Sequence, residues 1–527
     1  MQKTSDMLKK QLENAKFSIK NLLHNKLFYV YLTSFIFVFL SIFFEKAPIY
    51  LCAYILFFVC ILNMQDAISM LLFFYPFFSI FVTKKQVNLY FYLFAVSLVI
   101  FAIKYLVDVF TKKKKIDWVL VVAVCVYLLY LVLPLHKNEQ GKFVNFCNLK
   151  YFASVGVFLL AVYLIFIYKD KLDGAKIFKV FMAGFLIAGV MGVFVFCSPR
   201  LKSVLDLLTY KIPRYNALFQ VPNTLAIISL VASSITLYLH YNEKIKSEAY
   251  LFFAGSFVLG YLTMARSFLY PETILFVLYL IFTCIKYKKE SWKIVLPYVA
   301  IIIVVALAFF KYTLAHLERF GFKDLLKGYG NSVDASDAEL NQMIDPGRGG
   351  LIKKYGKDYL SSALVILFGR GIAYPWMSLS SHNTYLQCLW NTGLVGLVLI
   401  IALFVLFLKK YCAKKSKELV KSIFTNVSLY MLLLPILAMA FVENLFMNMQ
   451  MIVTILLVIF AVLNNKDLKN SKETISQNEL DEQETEEEKI KETESLKEET
   501  KHCAEEPETV TSENEQKTIL QKNAKNK

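Results

Sequence analysis

Residues 27–44 read LFYVYLTSFIFVFLSIFF, an apolar stretch without a charged side chain. A helix of roughly 20 such residues crosses the hydrocarbon core of a bilayer, which is about 30 Å thick. The preceding residues 1–26 are polar and rich in lysine, and the stretch ends in bulky side chains without a small-residue cleavage site. We therefore predict a retained first membrane helix behind a cytoplasmic segment over residues 1–26, rather than a cleaved signal peptide.

The rest of the chain has the same apolar character. Of its 527 residues, 57% are hydrophobic, and the mean hydropathy is +0.51, far above that of a soluble domain. Apolar stretches long enough to cross a membrane recur along the chain, whereas the strands of a membrane barrel would alternate polar and apolar residues. The composition therefore predicts an all-α, polytopic membrane protein.

We predict about 14 transmembrane helices within residues 27–463, or about 12 if the second and third spans form a re-entrant pair. The predicted spans are residues 27–44, 47–63, 67–82, 88–110, 117–135, 151–168, 180–197, 225–240, 250–264, 268–285, 294–311, 386–408, 428–442 and 449–463. A cytoplasmic start places most lysine-rich connections on the cytoplasmic side. Lys84 and Lys85, predicted outside, are the exception.

The formal charge of +17 does not predict nucleic-acid binding, because Lys and Arg are scattered over the short loops that orient the helices. The cysteines that lie in or beside apolar segments have no metal-ligand spacing, so neither a metal site nor a disulfide framework is expected.

Two polar segments interrupt or follow the apolar part of the chain. Residues 312–385 form one large external loop, and residues 464–527 are acidic and lysine-rich, which predicts a disordered cytoplasmic tail.

Arginines in the external loops are the first candidates for chemistry. Arg214 precedes the eighth span, Arg266 lies in a hairpin at the membrane surface, and Arg348 belongs to the large loop. Guanidinium groups bind phosphate oxygens through paired hydrogen bonds and stay charged at any relevant pH. Converging arginines at the outer leaflet would bind a diphosphate, although each one alone fits an arginine that extends to the lipid headgroups.

The large external loop ends in Ser381-His382-Asn383-Thr384-Tyr385. Here the flexible turn Gly369-Arg370-Gly371 is followed by His382 and Asn383, which we expect to cap the helix that begins near Thr384. An imidazole at this place has a pKa suited to accepting a proton from a hydroxyl near neutral pH, and a helix N-terminus favours a nearby phosphate. Glu443 is a second candidate base, with helix capping or a lysine pair as the alternative interpretation.

In chain order these landmarks resemble the bacterial O-antigen ligase and O-antigen polymerase superfamily over roughly residues 205–400. The matching positions are Arg214, Pro222-Asn223, Thr263, Arg266, Gly347-Arg348, Gly369-Arg370-Gly371, His382-Asn383-Thr384-Tyr385 and Gly393-Leu394-Val395-Gly396. Two positions depart from the family pattern: Ala217 stands where a glycine is frequent, and Ala265 stands where a serine often precedes the arginine.

The resemblance implies a metal-independent glycosyltransferase without a cofactor, acting at the outer face of the bacterial cytoplasmic membrane. It would transfer a glycan from undecaprenyl diphosphate to an acceptor hydroxyl of a glycan or of a lipid-linked sugar. His382 would activate the acceptor, and Arg214 and Arg266 would stabilise the leaving diphosphate. The diphosphate-binding residues would be Arg214, Arg266, Arg348, Arg370 and Asn383.

Several alternatives remain open at this point. Ligase, polymerase and protein glycosylation share the same donor chemistry, and the residues do not separate them. A transporter or flippase for lipid-linked sugars is the main rival, followed by a structural membrane protein. Transporters place charges inside their helices and often contain internal repeats. We found no repeat, and we identified only Lys104 and Asp108 as ionisable residues deep in a span, which favours the transferase.

Overall fold

The structure is a computed structural model of the chain. It describes residues 26–44, 46–82, 87–112, 116–133, 136–137, 143–144, 149–197, 214–219, 221–319, 348–371, 383–412, 426–441 and 449–463. All of these residues belong to one compact unit within Met1–Leu468. The segments predicted as a cytoplasmic start and a cytoplasmic tail, residues 1–26 and 464–527, lie outside the described residues except for Lys26.

Almost all of the described chain is helical. The helices are α1 Lys26–Phe43, α2 Ala47–Ile61, α3 Met64–Phe74, α4 Leu89–Lys112, α5 Trp118–Val132, α6 Leu149–Tyr168, α7 Gly174–Cys197, α8 Pro222–Tyr241, α9 Glu248–Leu262, α10 Arg266–Tyr287, α11 Ser291–Ala308, α12 Phe310–Arg319, α13 Arg348–Tyr359, α14 Ala363–Phe368, α15 Thr384–Cys412, α16 Val427–Ala440 and α17 Met449–Leu463. Short 3₁₀ turns at Tyr75–Phe81, Lys169–Lys171 and Lys288–Glu290 continue α3, α6 and α10. The strands β1 His136–Lys137 and β2 Phe143–Val144 form a two-residue antiparallel pair.

Every predicted span overlaps one of these helices, and the prediction of a mostly helical membrane protein is confirmed. Within the described part of the chain, seven helical segments are long and apolar enough to cross a membrane. They are Met64–Phe81, Leu89–Thr111, Phe152–Lys171, Gly174–Cys197, Pro222–Tyr241, Ser267–Ala308 and Thr384–Phe407. The other predicted spans correspond to shorter apolar helices, so helix length and composition alone do not establish a count of about 14.

Helix α8 lies at the centre of the bundle. Of its membrane-crossing stretch, 89% is buried, and it packs against α9, α10, α16 and α17. At the surface of the bundle, exposed apolar side chains recur at helical spacing, as with Val96, Val99, Ile103, Val107 and Phe110 along α4. A bilayer is the solvent that such a surface requires, because in water it would be an aggregation site.

The predicted external loop, residues 312–385, contains regular structure where it is described. Helix α12 extends to Arg319, and α13 and α14 follow after an interval that lies outside the described residues. Helices α13 and α14 pack on the first turns of α15 around Tyr355, Tyr359, Val365 and Trp390, a small apolar core separate from that of the bundle. The loop therefore includes a folded unit built on its own hydrophobic cluster.

Candidate functional site

Residues 214–219 lie between α7 and α8 in the sequence. This segment packs against α7. The N–H of Tyr215 donates to the carbonyl of Leu262 at 3.0 Å, and its hydroxyl donates to the carbonyl of Gly189. Burial raises the pKa of the Tyr215 phenol, so the hydroxyl keeps its proton. A Cβ atom at Gly192 would lie 2.5 Å from the Cα of Ala217, so only glycine permits this close approach.

Ala217 has a left-handed backbone conformation, with φ at +46°. Glycine adopts this conformation without a steric penalty, whereas an L side chain costs roughly 1–2 kcal/mol there. The position where this chain departs from the family pattern is thus a position whose backbone favours glycine. The turn keeps its shape with alanine because Tyr215 and Leu218 anchor it on both sides; the carbonyl of Leu218 accepts a hydrogen bond from the N–H of Ser79 at 2.9 Å.

The half-buried side chain of Arg214 connects two elements that are distant in the sequence. Its Nη2 donates to Oδ1 of Asn223 in the first turn of α8 at 2.8 Å, and its Nε donates to the carbonyl of Thr263 at 2.8 Å. Thr263 belongs to the buried turn between α9 and α10. Three of the sequence landmarks therefore meet at one guanidinium group.

The turn after Thr263 determines where α10 begins. Met264 has φ at +58°, the Thr263 hydroxyl donates to the carbonyl of Gly260 at 2.6 Å, and it accepts from the N–H of Ala265 at 3.2 Å. Ala265 is the N-cap of α10 and has no side-chain oxygen; the N–H of Phe268 in the first turn donates to the carbonyl of Ala265 at 3.1 Å. Arg266 is the first residue of α10, and its side chain lies outside what the structure describes.

Arg370 has a carboxylate partner within its own unit. Its Nε and Nη2 donate to the two oxygens of Asp358 at 3.0 and 2.8 Å, and Nη2 also donates to Ser361 Oγ at 3.1 Å. The indole of Trp390 donates to the same carboxylate at 2.7 Å. These paired hydrogen bonds join α13 to the turn before α15, and they give the Arg370 side chain a structural role. Binding of a diphosphate by Arg370 stays a prediction.

Helix α15 is interrupted at Gly393, although its span was predicted as continuous. Gly393 has φ at +63°, so the carbonyls just before it lose their regular helical partners. The N–H groups of Arg370 and Gly371 donate to the carbonyls of Trp390 and Asn391 at 2.7 and 2.9 Å instead. The Gly-Arg-Gly turn and the interrupted helix are therefore two parts of one hydrogen-bonded structure.

The side chain of Tyr130 on α5 inserts into α15 at the interruption. Its hydroxyl donates to the carbonyl of Thr392 at 2.5 Å and lies next to the N–H of Gly396, so it is inserted between a carbonyl and an N–H that would otherwise pair. A side chain inserted into the helical ladder is a recognised cause of a kink. A Cβ atom at Gly396 would lie 2.9 Å from the ring of Tyr130, whereas a Cβ atom at Gly393 would clash with the carbonyl oxygen of Leu367, so the two glycines make room for different neighbours.

Asn383 caps α15, as predicted. Its Oδ1 accepts from the N–H of Leu386 at 2.9 Å, and its Nδ2 donates to the carbonyl of Phe441 at 3.1 Å. The hydroxyl of Tyr385 donates to the carbonyl of Leu437 at 2.9 Å. The start of α15 is therefore attached to the end of α16.

The structure does not describe the principal candidate base, His382. His382 and Glu443 lie outside the described residues, as does the side chain of Arg348, while the backbone of Arg348 begins α13. Asn383, which follows His382 in the sequence, donates to the carbonyl of Phe441.

Sequence reasoning missed one buried acid. Glu272 in α10 is 3% exposed, so the statement that only Lys104 and Asp108 are ionisable residues deep in a span is wrong. Glu272 follows Pro271 inside the predicted span 268–285. A carboxyl within an apolar span is a signal in its own right.

A cavity of about 630 Å³ lies near the start of α7, away from the Arg214 turn, which contacts the second half of that helix. Polar and charged residues line it, among them Asp66, Lys104, Asp108 and Lys176. Lys104 is held there by the carbonyls that end α2, donating to Val59 and Leu62 at 2.8 and 3.0 Å. These contacts explain a lysine inside the predicted fourth span.

The fold and the composition define an α-helical membrane protein with a buried arginine-centred turn. No model of a known protein family matches this chain, and no curated protein is significantly similar to it.

Proposed function

We propose that this protein is a metal-independent membrane glycosyltransferase of the O-antigen ligase and polymerase type. It transfers a glycan from undecaprenyl diphosphate to an acceptor hydroxyl, carried by a glycan or a second lipid-linked sugar, at the outer face of the bacterial cytoplasmic membrane. Surrounding lipids are its solvent, and neither a cofactor nor a nucleic acid takes part. The topology that belongs to this proposal has about 12–14 spans, in which the shorter apolar helices also cross the bilayer.

The observation that carries the proposal is the position of Arg214. Its hydrogen bonds to Asn223 and Thr263 join landmarks that are 9 and 49 residues away in the chain. The Thr263 turn leads directly to Arg266, the second arginine of the proposed diphosphate site. A guanidinium oriented by two fixed acceptors is pre-organised, and such a group stabilises the charge that develops on a leaving phosphate better than a free one.

The proposed acceptor side of the site rests on a second set of contacts. Asn383 caps α15 and is bonded to Phe441 at the end of α16. Helix α16 in turn packs against α8 and α10, which carry Asn223 and Arg266 at their first turns. The scaffold thus connects the chain beside His382 to the helices that begin at the proposed diphosphate site.

The experiment that tests the proposal is transfer with purified components. The protein in detergent is given an undecaprenyl-diphosphate-linked oligosaccharide, and the products are separated on a gel. A ladder of repeats identifies a polymerase, and a single shift of an added acceptor identifies a ligase. If the donor is not consumed under any acceptor condition, the transferase proposal fails.

One alternative has specific support. A transporter or flippase for lipid-linked sugars would use interrupted helices and intramembrane carboxyl groups. Helix α15 is interrupted at Gly393, and Glu272 is buried in α10. Movement of a fluorescent lipid-linked sugar between the leaflets of proteoliposomes, without donor consumption, would identify this function.

A further inference from the structure

Glu272 is a carboxyl group inside the helix bundle. It follows Pro271 on α10, and 3% of the residue is exposed. The hydroxyl of Ser233 on α8 approaches the carboxyl, but the approach falls short of hydrogen-bond geometry, and neither oxygen has a partner among the described residues. An ionised carboxylate in such a place would be desolvated and unpaired, which costs so much that the group takes up a proton or a cation instead.

The charges of the surrounding helices lie at helix ends. Helices α8, α9, α11 and α16 pack against α10. The titratable side chains of these helices and of α10 are Tyr238, His240, Tyr241, Glu248, Tyr250, Tyr261, Arg266, Tyr270, Tyr279, Cys284, Lys286, Tyr287, Lys293, Tyr298 and Tyr430. On α10 itself, Arg266 and Lys286 are displaced from Glu272 along the helix axis by about 9 and 21 Å of rise.

Ser233 on α8 also contacts a second serine, Ser256 on α9. The hydroxyl of Ser256 can donate to the carbonyl of Phe252 at 2.8 Å. The hydroxyl oxygens of Ser233 and Ser256 are 2.9 Å apart, and either hydroxyl can be the donor. When Ser233 donates to Ser256, its oxygen offers only lone pairs to Glu272. A carboxylate has no proton to give to them, whereas a carboxylic acid can donate one.

We propose that Glu272 is a proton-binding site in the centre of the bundle, occupied as a neutral carboxylic acid beside Ser233. A sodium ion needs several oxygen ligands besides one carboxylate, which many transporters supply from unwound backbone, whereas α8 and α9 are continuous helices. The site lies between the two helices whose first turns carry Asn223 and Arg266. Loss of the proton places an unpaired charge between α8 and α10.

Infrared spectroscopy of the purified full-length protein tests this proposal without any activity assay. The carbonyl stretch of a protonated carboxylic acid should be present at neutral pH in the wild type and absent from the Glu272→Gln variant. Glu290→Gln is the matched control, because Glu290 is exposed and paired with Lys293; it should leave the band unchanged. A band of equal size in wild type and Glu272→Gln overturns the proposal.

Thermal unfolding provides a second readout that does not depend on the spectrum. Wild type should lose stability as the pH rises, because the unfolded chain releases the Glu272 proton to solvent while the folded protein retains it, whereas Glu272→Gln should not show this component. Sodium chloride is compared with choline chloride at alkaline pH. Stabilisation of wild type by sodium alone would show a metal-cation site and contradict the proton assignment, as would an identical pH profile for the two proteins.

Discussion

Arg214 and Asn223 are joined by a hydrogen bond of 2.8 Å from Nη2 to Oδ1, which attaches the turn after α7 to the first turn of α8. We expect Asn223→Ala to remove this acceptor and Asn223→Asp to keep it, now with a charge. A hydrogen bond to a charged group contributes about 1.5–3 kcal/mol. Thermal unfolding should therefore show a loss for Asn223→Ala and none for Asn223→Asp; equal stability of the two variants would contradict the bridge.

Under the proposed function, the same guanidinium should be needed for transfer. Arg214→Lys retains a positive charge but not the planar arrangement of donors that engages Asn223 and Thr263 together. We expect at least about a tenfold loss of donor consumption, equivalent to about 1.4 kcal/mol of barrier. The gel assay described above measures it. Wild-type turnover by a folded Arg214→Lys protein would remove Arg214 from the diphosphate site.

His382 is the proposed base for the acceptor hydroxyl. Its replacement by alanine should lower transfer by roughly 10²–10⁴, the usual contribution of general acid–base catalysis. His316→Ala is the control, because His316 belongs to the same predicted external region without the landmark sequence around it. Both variants are first checked for monodisperse, folded protein. If His316→Ala loses as much activity as His382→Ala, the role is not specific to His382.

Asp358 should be essential for the small unit formed by α13, α14 and the start of α15. Its side chain is 9% exposed and accepts from Arg370 and Trp390. We expect Asp358→Asn to destabilise this unit by roughly 2–3 kcal/mol, because a charged acceptor of several hydrogen bonds is lost. Hydrogen exchange at the amides of α13 and α14 should accelerate, and that of α8 should not. Uniform acceleration would place the effect elsewhere.

Ala265 is an N-cap without a capping oxygen, so a gain of stability is available there. Ala265→Ser should stabilise the protein by about 1 kcal/mol, since a serine hydroxyl can accept from an N–H group in the first turn of α10. Ala226→Ser, a buried position inside α8, has no such groups to bind and should give no gain. Comparison of the two melting temperatures checks the prediction, and an equal change in both would argue against capping.

Labelling tests the proposed topology independently of any chemistry. Cys147 is predicted outside and Cys503 inside, so a membrane-impermeant maleimide applied to intact cells should label single-cysteine variants at the first position only. The opposite pattern would move the Arg214 turn to the cytoplasmic side and would exclude an outward-facing site.

Much of the secondary structure follows from the sequence alone. An apolar segment in a bilayer must pair its backbone groups internally, so a long stretch without charges becomes a helix whatever its neighbours are. For this reason the predicted spans overlap the observed helices, and the cap at Asn383 could be identified from residue type and position.

The sequence also singled out Ala217 and Ala265 as departures from a family pattern. The structure supplies the physical meaning of both: a left-handed backbone at Ala217, and an N-cap without an oxygen at Ala265. The family pattern indicates that the backbone favours glycine at position 217 and a capping residue at position 265. The packing that allows the turn to keep its shape with Ala217 cannot be predicted from that pattern.

The sequence by itself determined where the helices are and which polar residues interrupt them, because those properties depend on each segment and its lipid solvent. Tertiary structure decided which residues meet. Arg214 contacts the Thr263 carbonyl, Tyr130 enters the ladder of α15, and Glu272 faces Ser233 because particular helices pack side by side. In lipid, such packing depends on shape and on hydrogen bonds between helices rather than on hydrophobic burial. A linear pattern of apolar residues does not contain that information.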